Sequence, residues 1–134
     1  MYSISTNIAE LSFDEKNAVL YMTIIENAEM TMENTKDHYE KIEKITQNKK
    51  YAALIDMSNY YITSPEILSL TAQKSTFKNR IATIYYNSSM SNKLTNEFFK
   101  NNYKPEMVIK TFKTKAEGLK WWLEVKDEML NITR

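Results

Sequence analysis

The chain has 134 residues, 43% hydrophobic and 26% charged, enough for one core and one domain spanning 1–134, without the bias of a disordered chain. Eighteen basic and seventeen acidic side chains leave a formal charge of +1, which excludes a basic footprint for nucleic acid. There is no cysteine, which excludes disulfides, thiolate zinc sites and cysteine nucleophiles, and the single glycine, Gly118, excludes the usual glycine-rich phosphate loops.

Residues 8–13, IAELSF, predict a short strand, and Asp14-Glu15-Lys16-Asn17 a polar turn. Residues 18–25, AVLYMTII, complete a hairpin with a strand apolar enough to be buried on both faces. Thr31 caps a following helix, with Glu33 in its first turn and Thr35, His38, Tyr39, Ile42 and Ile45 at helical spacing. His38, the one histidine, is expected at the rim of that apolar face. Tyr51 to Asp56, YAALID, is the next strand. Ser64-Pro65-Glu66 then starts a helix: serine caps, proline suits the first position, and glutamate favours the positive end. Residues 73–79 are polar and read as helix, with a separate turn as the alternative. Ile81 to Tyr86 is another buried strand, followed by Asn87-Ser88-Ser89 and a helix with Met90, Leu94, Phe98 and Phe99. Asn101-Asn102 and Lys104-Pro105 end that helix. Met107 to Phe112 is the last strand, and Thr114-Lys115-Ala116-Glu117 is a capping box opening a helix that runs to about Leu130. In that helix Trp122 is expected in the core. Trp121 then flanks it, because neighbouring helical residues point apart.

The order β-β-α-β-α-β-α-β-α implies an α/β fold, a largely parallel sheet with right-handed crossovers. Three stretches, KKYAALIDMSN, RIATIYYNSSMSNKLTNEFFK and IKTFKTKAEGLKWW, resemble in order and spacing the STAS-like superfamily. That is the fold of bacterial anti-sigma-factor antagonists of the SpoIIAA type; the closer likeness is to a STAS/SEC14-like bacterial branch. The resemblance implies a β-α superhelix: five strands in sequential order, an antiparallel edge strand, and four or more helices packed mainly on one side. A sequential sheet has no internal switch point where a crevice opens. The expected site is therefore the loop after the Tyr51–Asp56 strand, with neighbouring helix starts.

In the antagonists that loop carries D-[LF]-S-x-V-x-x-[MI]-D-S-S-G, whose serine after the second aspartate is a phosphorylation switch. Here Asp56-Met57-Ser58 matches the opening, but Ser64 replaces the second aspartate, Pro65 falls on the switch serine, and no glycine follows. The expected partner-binding loop comprises Asp56, Ser58, Tyr60, Tyr61, Thr63 and Ser64. Asp56 also suits fixing the turn, and capping alone accounts for Ser64. Ser58 and Ser64 are candidate phosphoacceptors, Ser88 and Ser89 a candidate anion-binding helix start, and Trp121 a candidate interface anchor. No residue spacing demands catalysis, metal or a cofactor.

The expectation is a non-enzymatic, cytoplasmic protein-binding or regulatory module, whose partner is another protein or a second copy of itself. The alternative is a SEC14-like binder of a lipid or other apolar small molecule, in a cavity lined by Met22, Leu70, Phe98 and Trp122. No run approaches the roughly 18 apolar residues that span a membrane, and nothing at the N-terminus reads as a signal peptide.

Overall fold

A computed structural model describes residues 2–132. Period-two patterning builds its first sheet strands. β1 (Tyr2–Ser5) pairs antiparallel with β2 (Ala9–Asp14), which buries Ala9, Leu11 and Phe13 and turns the alternate residues outward. β2 pairs antiparallel with β3 (Val19–Ile24) across the expected polar turn. A two-residue strand, β4 (Ala28–Glu29), leads to α1 (Met32–Thr46), capped by Thr31 Oγ1, which accepts from Asn34 N at 3.1 Å. The chain continues through β5 (Tyr51–Asp56), the short β6 (Tyr61–Ile62), α2 (Pro65–Ala72), β7 (Arg80–Tyr86), α3 (Met90–Tyr103), β8 (Val108–Phe112) and α4 (Lys115–Ile132).

The main sheet runs β1-β2-β3-β5-β7-β8, and the pairs from β3 to β8 are parallel. The fold is thus α/β with a mostly parallel, sequentially ordered sheet. It has six strands, not five. The additional strand, β1, reads YSIS, and its outer position leaves most of it exposed, so no apolar run announces it. The antiparallel strand β2 therefore lies one place in from the edge. β4 and β6 form a second, parallel two-stranded sheet that strand propensity did not reveal.

Two cores flank the sheet. On one face Leu11, Phe13, Leu20, Met22, Ala53, Ile55 and Tyr85 pack with Ile42 and Ile45 of α1 and with Phe77. On the other, Val19, Leu54, Ile84 and Tyr86 pack with Trp122, Leu119 and Val125 of α4. The lone glycine belongs to this second core. A Cβ on Gly118 would lie 2.9 Å from Ile84 Cγ2 and 3.1 Å from Leu54 Cδ1, so its absence lets α4 settle close on the sheet. The left-handed backbone positions go instead to Ala18, Asn27, Gln47, Asn48, Asn87 and Lys104, three of them asparagine, the residue that tolerates that region best after glycine.

Candidate functional site

The polar loop after β5 is a built structure. Asp56 Oδ1 accepts from Ser58 N at 2.9 Å, a local turn that the short acidic side chain favours. The buried Asn92 of α3 donates through Nδ2 to Met57 O and to Asn59 O, both at 2.7 Å. Asn59 Nδ2 donates to Ile24 O at 2.8 Å. Beyond it, Asn27 N donates to Tyr60 O and Met30 N to Ile62 O, each at 2.8 Å, bracketing the β4–β6 ladder. Residues 60–63 are therefore held extended, and side chains alternate across an extended segment. Tyr60 and Ile62 are 49% and 46% exposed, whereas Tyr61 and Thr63 point inward and line a cavity. Ser64 then caps α2, its Oγ accepting from Ile67 N at 3.3 Å.

The cavity, about 80 Å³, lies between the sheet and α1, α2 and α3. Met22, Ile55, Met57 and Phe99 supply apolar wall, and His38, Tyr85, Asn96 and Arg80 supply polar groups. Arg80 reaches it because of a β-bulge. Tyr51 pairs with Arg80, but the next residue, Ala52, pairs with Ala82, leaving Ile81 as an extra residue in β7. Ile81 and Ala82 both pack on the α4 side, so regular alternation breaks at this point. Arg80 shares the face of Tyr51, the α1–α3 face, whereas unbroken alternation with Ala82 and Ile84 would have turned it towards α4.

Arg80 is 3% exposed. Its guanidinium carbon sits 3.8 Å from the centroid of Phe77, and Nε makes a long 3.4 Å hydrogen bond to Tyr51 Oη. Nη2 is buried and has no partner, and among the described residues no carboxylate forms an ion pair with it. In two further residues that line the cavity, Thr63 Oγ1 and Asn96 Nδ2 are likewise buried and unpartnered.

His38 is 4% exposed, so the sequence expectation of a rim position is corrected: it is a core residue. Thr6 anchors it, with 2.9 Å between Thr6 Oγ1 and His38 Nδ1. Burial first, then the Arg80 charge, lowers its pKa to about 3, against an opposing pull from Asp37. Burial also pushes the Tyr85 hydroxyl up to about 12 and raises that of Tyr61. At neutral pH Arg80 is then the single charged side chain lining the cavity.

The His38 shift has a consequence for stability. The folded-state pKa lies below the unfolded value of about 6.5, so the unfolded chain binds more protons between the two. The contribution is fully present above about pH 6.5 and is lost as pH falls towards 3, at about 1.4 kcal/mol per unit. Urea unfolding at pH 7 and pH 5 is expected to differ by about 2 kcal/mol from this residue. His38→Gln is expected to flatten the slope by that amount; an unchanged slope would assign the acid sensitivity elsewhere.

The sequence-predicted residues fall into three groups. Asp56, Ser58, Tyr60, Tyr61, Thr63 and Ser64 do form one loop, but it has an inner side, Tyr61 and Thr63, and an outer side, Tyr60 and Ile62. Ser89 caps α3, accepting from Asn92 N at 3.2 Å. Ser88 lies beside it, bordering a cleft of about 530 Å³ with Lys93, Lys100 and Lys113. Trp121 packs at the margin of the α4 core, tilted against Phe112 at 6.2 Å with Lys110 over its ring. Of the residues expected to line an apolar cavity, Met22 does so. Trp122 lies on the opposite face, Phe98 is exposed where Phe99 points in, and Leu70 is not part of the wall. Sequence reading missed Arg80, Thr6 and Asn96. One signal pointed to Arg80: apart from Arg134, every other basic residue in the chain is lysine.

Fold and site together define an α/β domain with a cavity between sheet and helices, bordered by a tethered loop. Residues 13–126 match the family described as a domain of unknown function, DUF7793, and the chain belongs to that family. No curated protein and no solved structure matches it. Among the described residues there is no cluster of three or more histidine, acidic or cysteine side chains able to hold a metal ion, and no helix long and apolar enough to cross a membrane.

Proposed function

We propose that this chain is a non-enzymatic binding domain of regulatory type, with the cavity as its ligand site. The segment from Tyr60 to Thr63 carries occupancy to the surface. One observation supports this above all: the alternation of that segment, whose inward side chains touch the cavity and whose outward ones face solvent. A ligand that shifts Tyr61 or Thr63 must also shift Tyr60 or Ile62, because the four are consecutive in an extended segment tied through Tyr60 O and Ile62 O. Such coupling suits a STAS-like regulatory module, and the sequential sheet order is what supports that kinship.

The non-enzymatic reading rests on the buried polar groups. Thr6 Oγ1 beside His38 is already engaged by Ile8 N and Ala9 N, and His38 is held neutral by burial, so the pair fixes structure. Size narrows the SEC14-like alternative. Sites for lipid- or drug-sized molecules are about 300–1,000 Å³, several times this cavity, so the ligand is small.

An NMR titration with small fragments tests the reading. Shift changes are expected at Met22, Met57, Tyr61 and Tyr85, followed by smaller ones at the Tyr60 and Ile62 amides. Changes confined to the exposed stripe of Met90, Leu94 and Phe98, or none with any fragment, would remove the cavity as the site.

A further inference from the structure

We infer that the cavity is a receptor for a short-chain monocarboxylate whose carboxylate pairs with Arg80. This inference rests on the cavity being the ligand site and adds the chemical class of its occupant.

The starting point is an unbalanced charge. Arg80 is almost wholly buried, yet Nη2 meets no acceptor. Its other contacts are the Phe77 face and the long bond to Tyr51, neither of which neutralises it. No aspartate or glutamate lines the cavity. Arginine side chains keep their charge in proteins, so the imbalance calls for a partner. An isolated buried charge is strongly unfavourable unless an opposite charge joins it. An incoming anion supplies that charge and an acceptor for Nη2 in one step, and the planar guanidinium fork matches a carboxylate.

The rest of the wall selects among anions. With one cation, the site balances one negative charge, which disfavours a phosphate dianion. Met22, Ile55, Met57 and Phe99 offer an apolar surface suited to an aliphatic group and not to a hydrated inorganic ion. The two other unpartnered atoms, Thr63 Oγ1 and Asn96 Nδ2, can both donate, which again suits an acceptor-rich ligand. Length follows from volume. A cavity of ~150 Å³ holds benzene in a known case. The cavity here, at about 80 Å³, fits an acid of about two to three carbons.

The bulge at Ile81 is an independent indication. It interrupts the pairing of a central strand and aims the chain's one internal arginine at the cavity. Bulges recur where a side chain must be re-aimed beside a site.

Thermal melts and calorimetric titrations with sodium acetate and sodium propionate test this, against acetamide and propionamide as neutral isosteres, and against sodium chloride and sodium phosphate at matched ionic strength. The acids are expected to raise the melting temperature saturably while the amides and inorganic salts do not. Arg80→Met is expected to weaken propionate binding by about 30-fold or more, as loss of one partner of a buried charged pair does. It is also expected to leave the melting temperature of ligand-free protein unchanged or higher, because an uncompensated charge has gone. A marked fall in that temperature would make Arg80 a structural residue and overturn the assignment. Amides that stabilise as well as acids would overturn charge pairing and leave the cavity a ligand site. Chloride or phosphate as effective as propionate would reduce Arg80 to a holder of an adventitious ion only. If neither acids nor amides bind while other NMR fragments enter the cavity, the carboxylate class is wrong; if no fragment enters, the ligand site itself is. The acid–amide comparison uses the unmodified protein, so it decides even where the variant folds poorly.

Discussion

Trp122→Ala is expected to lower unfolding free energy by about 3–5 kcal/mol, measured by urea denaturation at neutral pH. Trp122 is fully buried, and its indole N–H donates to Asn17 O at 2.9 Å. That one side chain fills the space between α4 and the sheet and ties the last helix to the turn between β2 and β3. Alanine would remove the aromatic bulk and leave the Asn17 carbonyl without its donor. Domains of this size have about 5–15 kcal/mol in total, so the variant is expected at the edge of folding. Trp122→Phe keeps most of the bulk and should recover the larger part of the loss. A loss below about 1 kcal/mol for the alanine variant would mean that α4 lies outside the cooperative unit.

Asn92→Leu is expected to cost about 2–4 kcal/mol and to loosen the roof of the cavity. The leucine is close in size, so the effect isolates two hydrogen bonds, those to Met57 O and Asn59 O. Met57 O keeps Ser89 N as a second donor, whereas the Asn59 carbonyl loses its one donor among the described residues. Each buried polar group left unpaired costs about 1–3 kcal/mol. Amide exchange locates the effect. The Asn27 and Met30 N–H groups, which bond to Tyr60 O and Ile62 O, should be accelerated in the variant by a larger factor than the amides of β5 and β7, which follow the global loss alone. Uniform acceleration across the sheet would instead make Asn92 a general core residue with no special hold on the loop.

The fold was legible wherever one physical signal dominated. Apolar runs marked the buried β5 and β7, and Thr31 and Ser64 marked helix starts that do carry capping bonds. At Thr114 half of the expected box forms: Glu117 N donates to Thr114 Oγ1 at 3.2 Å, while the Glu117 carboxylate accepts from the Thr114 hydroxyl at 3.0 Å and not from its backbone N–H. Tyr2–Ser5 was missed because an edge strand that is mostly exposed needs no apolar run. The β4–β6 ladder was missed because two-residue strands depend on tertiary placement. At the site, the loop was found from its position after a strand. Its division into inner and outer sides was not, since that follows from pairing with Ala28 and Glu29, far earlier in the chain. Arg80 was hidden for a sharper reason. Side-chain direction in a strand is read by counting alternate residues, and the count fails across a bulge.

That last point bears on how relatives should be compared. In most proteins a binding residue is tracked by asking whether the same letter recurs in a column. Here the direction of Arg80 is set by Ile81, the extra residue that shifts the phase of β7. A strand of the same length without the bulge would turn the arginine to the tryptophan side of the sheet, whereas one lacking the extra residue would keep it on the face of Tyr51. The pairing of β7 with β5, more than the letter in the column, thus decides whether an arginine at this point of the strand meets the cavity or the α4 core.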